Sequence, residues 1–161
     1  MKPLTGNLLY VHMGRSTFVV KDMEMMAEAI SIQEFPFVDR RPIDTPWNLI
    51  RQFVFLLRHL ISTRIYVGQF AGYHTLLPGL FARLTGRPFL IVASGTESAS
   101  YPSIRYGNYV KPVYAWASRA SFRLATHVSP VHEKLVSNEN TYYRGDSPWQ
   151  GYARHVKGLQ K

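Results

Sequence analysis

Cysteine is absent from the 161 residues of this chain, which excludes a disulfide framework and thiolate chemistry and fits a reducing compartment. Acidic residues are few. The 10 Asp and Glu stand against 19 Lys and Arg, for a formal charge of +9, which implies affinity for anions such as nucleic acid, lipid headgroups or phosphorylated small molecules. Arg51, Arg58, Arg64, Arg83, Arg87, Arg105, Lys111, Arg119 and Arg123 are spread along the chain rather than gathered in a block. A nucleic-acid arm would concentrate them, so no nucleic-acid partner is expected. They read as solvated helix faces, with an anionic membrane surface as the functional alternative. Long apolar runs are missing too. The longest within a helical segment is Phe53 to Leu57, between Gln52 and Arg58, whereas a membrane span needs about 20 apolar residues. Met1 to Thr5 carries one lysine, but no apolar core follows, so no secretory signal is read. The expected location is cytoplasmic, with peripheral attachment to the inner face of the membrane left open. The six histidines contain no His-x-x-x-His pair, so neither a metal site nor a cofactor is expected.

What is present is strand–helix alternation in a chain long enough for one well-cored domain. Asn7 to His12 reads as a short buried strand, Met13-Gly-Arg-Ser16 as a turn, and Thr17 to Ile30 as an amphipathic helix. Ser31 to Phe37 alternates as a second strand, with Pro36 placing its end at a sheet edge. After a loop from Val38 to Asp44, Thr45-Pro46 reads as a hydroxyl N-cap with proline at the first helical position, opening a helix to about Ser62. Trp47, Ile50, Val54, Leu57 and Ile61 share one face of it, widened by Leu49, Phe53, Phe55, Leu56 and Leu60. Burial is the expectation for that face, and a membrane or partner is the alternative. Arg64 to Phe70 reads as a third strand, Thr75 to Thr85 as a helix closed by Gly86, and Phe89 to Val92 as a central strand covered on both sides. A loop from Ser98 to Lys111, a helix from Pro112 to Ala125, a strand from Thr126 to Ser129 and a helix from Pro130 to Ser137 follow. Residues 138–161 read as a tail with one short helix. The fold expected is an α/β Rossmann-like three-layer parallel sheet with helices on both faces, over residues 1–137.

In such sheets ligands collect beyond the carboxyl ends of the strands. Three turns would share that rim: Met13 to Ser16, Ala71 to His74, and Ser94 to Glu97. Gly14 permits the first turn, and the amides from Ser16 to Val19 would face an anion at a helix N-terminus; the plainer reading is a permissive glycine and a capping serine. No Gly-x-Gly-x-x-Gly and no Gly-Lys-Ser/Thr occurs, which argues against a nicotinamide-linked oxidoreductase and a P-loop. His74, beside Tyr73 on this rim, could hydrogen-bond a sugar hydroxyl or phosphate; the plainer reading is a helix-start residue. Glu97 is the one carboxylate beside the glycine turn after the central strand, where it could orient an acceptor or act as base. Ser94 lacks a Gly-x-Ser-x-Gly setting, so a hydrolase elbow is not indicated.

Val11-His-Met-Gly-Arg-Ser-Thr-Phe-Val-Val-Lys-Asp22, Phe70-Ala-Gly-Tyr-His-Thr-Leu-Leu-Pro78 and Thr126-His-Val-Ser-Pro-Val-His-Glu133 together resemble the N-terminal half of glycosyltransferase family 4. That resemblance implies a GT-B arrangement, in which two Rossmann-like domains face each other across a cleft without a catalytic metal. The N-terminal domain chiefly binds the acceptor and the C-terminal domain chiefly binds the nucleotide-sugar, with retention at the transferred sugar. Carried onto this chain, Gly14, Arg15, Ser16 and Thr17 would line the cleft near the sugar or diphosphate. Tyr73, His74, Gly95 and Glu97 would contact the acceptor. Ser94 stands where many family members have a histidine, so that histidine's role does not transfer. The tail would lead toward a separate donor-binding domain, and the 161-residue chain alone is expected to be inactive. The alternative is a non-catalytic Rossmann-like binding module for a glycan, a lipid headgroup or a partner subunit.

Overall fold

A computed structural model describes residues 6–39, 41 and 43–156; Met1 to Thr5, Arg40 and Pro42 of the expected loop, and the last five residues of the tail lie outside them. Five parallel strands form one sheet in the order β2-β1-β3-β4-β5. They are β1 (Asn7–His12), β2 (Ser31–Pro36), β3 (Thr63–Gln69), β4 (Phe89–Ala93) and β5 (His127–Pro130). Four helices connect them: α1 (Thr17–Ala27), α2 (Asp44–Arg58), α3 (Leu76–Thr85) and α4 (Pro112–Leu124). Among the described residues no helix is long and apolar enough to cross a membrane.

Right-handed crossovers decide the layers. The first connection runs outward from β1 to β2, and the next returns across β1 to β3, so α1 packs on one face and α2, α3 and α4 on the other. Two apolar clusters record this division. Leu8, Tyr10, Val67 and Val92 meet Val19 and Met23 of α1. Leu9, Val11, Tyr66, Phe89 and Ile91 meet Leu56 of α2, Phe81 of α3 and Phe122 of α4. The winding therefore reverses between β1 and β3, where a crevice opens at the carboxyl ends of the strands.

Several boundaries move from the sequence reading. Helix α1 stops at Ala27, and Ala29 and Ile30 make a turn onto the Met26 carbonyl that buries Ile30 against the sheet. Thr45 does not cap α2. Its hydroxyl donates to Asp39 Oδ2 at 2.6 Å, and the helix starts at Asp44, two residues before the expected Pro46. Helix α2 also ends at Arg58 rather than near Ser62. The segment expected to be helical from Pro130 to Ser137 holds only a single 3₁₀ turn at Glu133–Leu135. Pro130 completes β5, and the His132 side chain accepts from the Lys134 amide, which spends the opening of a longer helix. Beyond it, Asn138–Glu139 (β6) pairs antiparallel with Trp149–Gln150 (β7). The Gln150 side chain bonds both the amide and carbonyl of Ser100, and Tyr152 and Val156 enter the main apolar cluster.

The largest correction concerns α2. Its buried residues are Asn48, Gln52 and Leu56, while Trp47, Ile50, Val54, Leu57 and Ile61 are all exposed. Two interior carbonyls set this orientation. Asn48 Nδ2 donates to the Val38 carbonyl at 2.6 Å, and Gln52 Nε2 to the His74 carbonyl at 2.7 Å. An unsatisfied buried acceptor costs about 1–3 kcal/mol. Leu49, Phe55, Leu56 and Leu60 supply the apolar packing on the same side, so the helix meets the core with bonds and contacts together and leaves its other apolar stripe outward.

Candidate functional site

Four strand ends and the starts of three helices, α1, α2 and α4, meet at the crevice. Strand β3 delivers the chain to Phe70, whose φ of 66° is left-handed, an uncommon state for a bulky residue. Its ring stands edge-on to Phe18 of α1, 6.0 Å between centroids. The turn Ala71-Gly72-Tyr73-His74 that follows is pinned from below. Ser118 Oγ of α4 donates to the Ala71 carbonyl at 2.9 Å, and Ser121 Oγ to the Gly72 carbonyl at 2.7 Å. Thr75 Oγ1 takes the Gly72 amide at 3.1 Å, and Gln52 holds the His74 carbonyl. Gly68 in β3 makes room for this turn, since a Cβ there would lie 2.5 Å from Thr75 Cγ2. The turn is thus fixed before any ligand arrives.

Above it lies a cavity of about 870 Å³, within the size range of small-molecule sites. Met13, Phe18, Phe70 and Val113 give it an apolar wall, while Asp39, Tyr73, His74, Glu97 and Asn108 bring polar groups. His74 is fully buried, and Nε2 bonds the Gln69 carbonyl at 2.8 Å. The carbonyl can only accept, so Nε2 carries the proton and Nδ1 is an acceptor, buried and without a partner among the described residues. Burial lowers the pKa of this imidazole to about 4, against the opposing effect of the Gln69 bond. Asp39 Oδ2 accepts from both Thr45 and the Tyr73 hydroxyl, at 2.6 and 2.9 Å, while Oδ1 is buried with no partner among the described residues. Burial first, and the Asp39 bond second, push the Tyr73 phenol upward, so it remains a donor.

Glu97 sits on a 3₁₀ turn at Thr96–Ser98 directly after β4. Gly95 precedes it with φ 149°, a conformation side chains rarely adopt, although a Cβ would have room, with the Tyr106 hydroxyl 3.8 Å away. The Glu97 carboxylate accepts the Ser94 amide at 2.6 Å. Burial raises its pKa, and backbone amides of the turn pull it back in part. It both braces the turn and borders the cavity.

The first turn has a different character. His12 is fully buried at the end of β1; its Nδ1 accepts the Gly14 amide at 3.1 Å, and its Nε2 bonds Glu34 Oε1 at 2.8 Å. Arg15 grips both oxygens of the same Glu34, Nε to Oε1 at 2.7 Å and Nη2 to Oε2. The Arg15 bond, aided by His12, holds the Glu34 carboxyl at about 2 against the effect of burial. Arg15 is therefore committed to β2. Gly14 is exposed, and a Cβ there would meet nothing within 4 Å. Ser16 occupies the N-cap position of α1 without a side-chain capping bond. Of the residues named from sequence, Tyr73, His74, Gly95 and Glu97 border one cavity. Gly14, Arg15, Ser16 and Thr17 stand beside it, between Met13 and Phe18, which do line it.

No family model matches the chain. No curated protein matches it either. Among solved structures, ureidoglycine–glyoxylate aminotransferase from Bacillus subtilis overlaps 62% of this chain at 16% identity with a TM-score of 0.39. The chain spans 26% of that enzyme's length. An overlap so partial carries no statement about activity.

Sequence reasoning missed Asp39, Phe70, Asn108 and Tyr114. For Asp39 a signal existed: in a parallel sheet the loop after β2 reaches the same rim as the other turns. Phe70 gave none, because its importance lies in a backbone angle. Asn108 and Tyr114 arrive from the loop and helix after β4. Asn108 Nδ2 bonds Ser118 Oγ at 2.9 Å, and the Tyr114 ring stands 6.1 Å edge-on from Tyr73.

Proposed function

We propose that this domain is the acceptor-binding part of a glycosyltransferase of the family 4 type, which passes a sugar from a nucleotide-sugar to a hydroxyl held in the rim cavity. The observation that supports it most is the pair of buried acceptors, Asp39 Oδ1 and His74 Nδ1, that have no partner among the described residues and belong to residues bordering a mostly apolar cavity. Such atoms carry a desolvation cost until a donor reaches them. The hydroxyls of a sugar-bearing acceptor are donors attached to a ring with apolar faces, and the Tyr73–Tyr114 pair offers those faces an aromatic surface. In this reading Asp39 and His74 hold acceptor hydroxyls, and Glu97 orients the reacting hydroxyl or takes its proton. Phe18 and Phe70 keep water out. Charge developing on the departing diphosphate calls for helix N-termini or positive groups. The start of α1 can provide the former, while Arg15 is already neutralised by Glu34. The donor would come from a second Rossmann-like domain across the cleft, on the same polypeptide or another, with retention as the resemblance implies.

Ligand-observed NMR with octyl glucoside, galactoside and mannoside, against octanol, tests the acceptor role. We expect at least one glycoside to bind above octanol, and Asp39→Asn or His74→Gln to weaken it about tenfold, the equivalent of one hydrogen bond. Equal binding of octanol, or glycoside binding untouched by both substitutions, overturns the reading and favours a module of another kind.

A further inference from the structure

The outward surface of the α2–α4 layer combines two features that soluble surfaces keep apart. It is apolar along a continuous line: Trp47 is 62% exposed, Leu57 49%, Ile61 90% and, on the neighbouring α3, Leu84 83%. Trp47, Ile50, Val54, Leu57 and Ile61 recur at helical spacing, so the line runs about 20 Å down one side of α2 and its end. Single exposed apolar residues need no explanation, but a contiguous stripe does. The same layer is also poor in negative charge: along α2, α3 and α4 the one carboxylate is Asp44, at the first position of α2. From residue 45 to residue 132 the single carboxylate is Glu97, which is buried, against nine Lys and Arg. Arg51 and Arg58 follow Ile50 and Leu57 by one position and border the stripe, and Arg83 precedes Leu84 on α3. The acidic residues Asp22 and Glu24 sit on α1, with Glu28 at its C-cap, across the sheet.

We infer that this surface docks onto an anionic lipid bilayer, with the α2 stripe set into the boundary between headgroups and acyl chains and the flanking arginines on lipid phosphates. An apolar face rimmed by cations is the chemistry of an interfacial helix. Nucleic acid would call for polar side chains between the arginines rather than half-exposed Leu, Ile and Trp. One carboxylate, Asp44, against five arginines on the three helices supplies the charge complementarity that selects an anionic surface over a neutral one. The N-termini of α2 and α4 border the rim cavity through Thr45 and Val113, so the docked layer and the cavity share two helices. The docking surface does not depend on the glycosyl-transfer reading, and a vesicle assay reads it without any glycoside.

Sedimentation with vesicles of phosphatidylcholine alone, and of phosphatidylcholine with one third phosphatidylglycerol, tests the inference on the full chain. We expect binding to the mixed vesicles and at least about tenfold weaker binding to the neutral ones. Ile50→Glu with Leu57→Glu should lose the mixed-vesicle binding while the circular dichroism spectrum is kept. If that pair fails to fold, Ile61→Glu, beyond the end of α2 at a 90% exposed position, should weaken binding measurably. Met25→Glu on α1 should leave it unchanged. Equal affinity for both vesicle types, no binding to either, or equal loss on Met25→Glu overturns the inference. So does self-association that the stripe substitutions abolish while vesicle binding persists, since a second copy then covers the face.

Discussion

His74 joins stability to pH at a single atom pair. In the unfolded chain its imidazole titrates near the usual 6.5, and in the fold near 4, so between those values the unfolded state holds the extra proton and acid favours it. The contribution is complete above about 6.5 and is lost as pH falls toward 4, up to roughly 3 kcal/mol. Thermal melting should therefore drop between pH 7 and pH 5, and His74→Gln, which keeps a donor for the Gln69 carbonyl, should flatten that drop. Glu97, raised by burial, acts in the opposite sense, so the difference between the two proteins is the quantity to read. An identical slope in both would remove His74 as the cause. Gly95 makes a second residue-scale case. Its φ of 149° makes Gly95→Ala strained by about 1–3 kcal/mol despite the open space around it, measurable by urea unfolding.

At the scale of the element, α2 shows where pattern reading stops. The spacing of Trp47, Ile50, Val54, Leu57 and Ile61 correctly marks an amphipathic helix, but periodicity gives an axis and not its sign. Gln52 and Asn48 decide which side turns inward, because the carbonyls of His74 and Val38 need donors there. Those carbonyls belong to loops distant in sequence, so no local signal announces them. The strand boundaries and the Gly86 helix stop were legible because each rests on neighbours in the chain. The Asp39–Tyr73 bond, Phe70's backbone and the serine props from α4 were not, since each depends on the packed sheet. A paired measurement checks the orientation. Gln52→Leu should cost about 1 kcal/mol, since stranding the His74 carbonyl is offset in part by removing Gln52 Oε1, buried with no partner among the described residues, whereas Ile50→Ser should change stability by no more than about 0.5 kcal/mol. The reverse ranking would turn the helix over.

For the whole molecule, the order β2-β1-β3-β4-β5 gathers the loops after β1, β2, β3 and β4 onto one rim and leaves the helix layer to face something else. The rim was readable from strand–helix alternation, because a parallel sheet admits few windings. The described residues contain one parallel sheet and one such rim, and the family 4 reading assigns the donor to a second. The 161-residue chain by itself should therefore turn over no nucleotide-sugar, with product detected by mass spectrometry as the check; turnover by purified material would refute the two-domain reading.

The separation of charge between the two sides of the sheet also acts at a distance. Asp22 and Glu24 outnumber Lys21 on α1, while Arg51, Arg58 and Arg83 outnumber Asp44 on α2 and α3, and such a charge difference across the sheet feels a torque near a charged surface before it feels contact. The protein should meet a negative surface already turned, helix layer first. Its rate of arrival should fall steeply as salt shortens the field to about 8 Å at physiological ionic strength. Its rate of departure, governed by apolar contact, should scarcely respond. Stopped-flow traces at rising salt separate the two rates and time the reorientation that the sheet's asymmetry imposes.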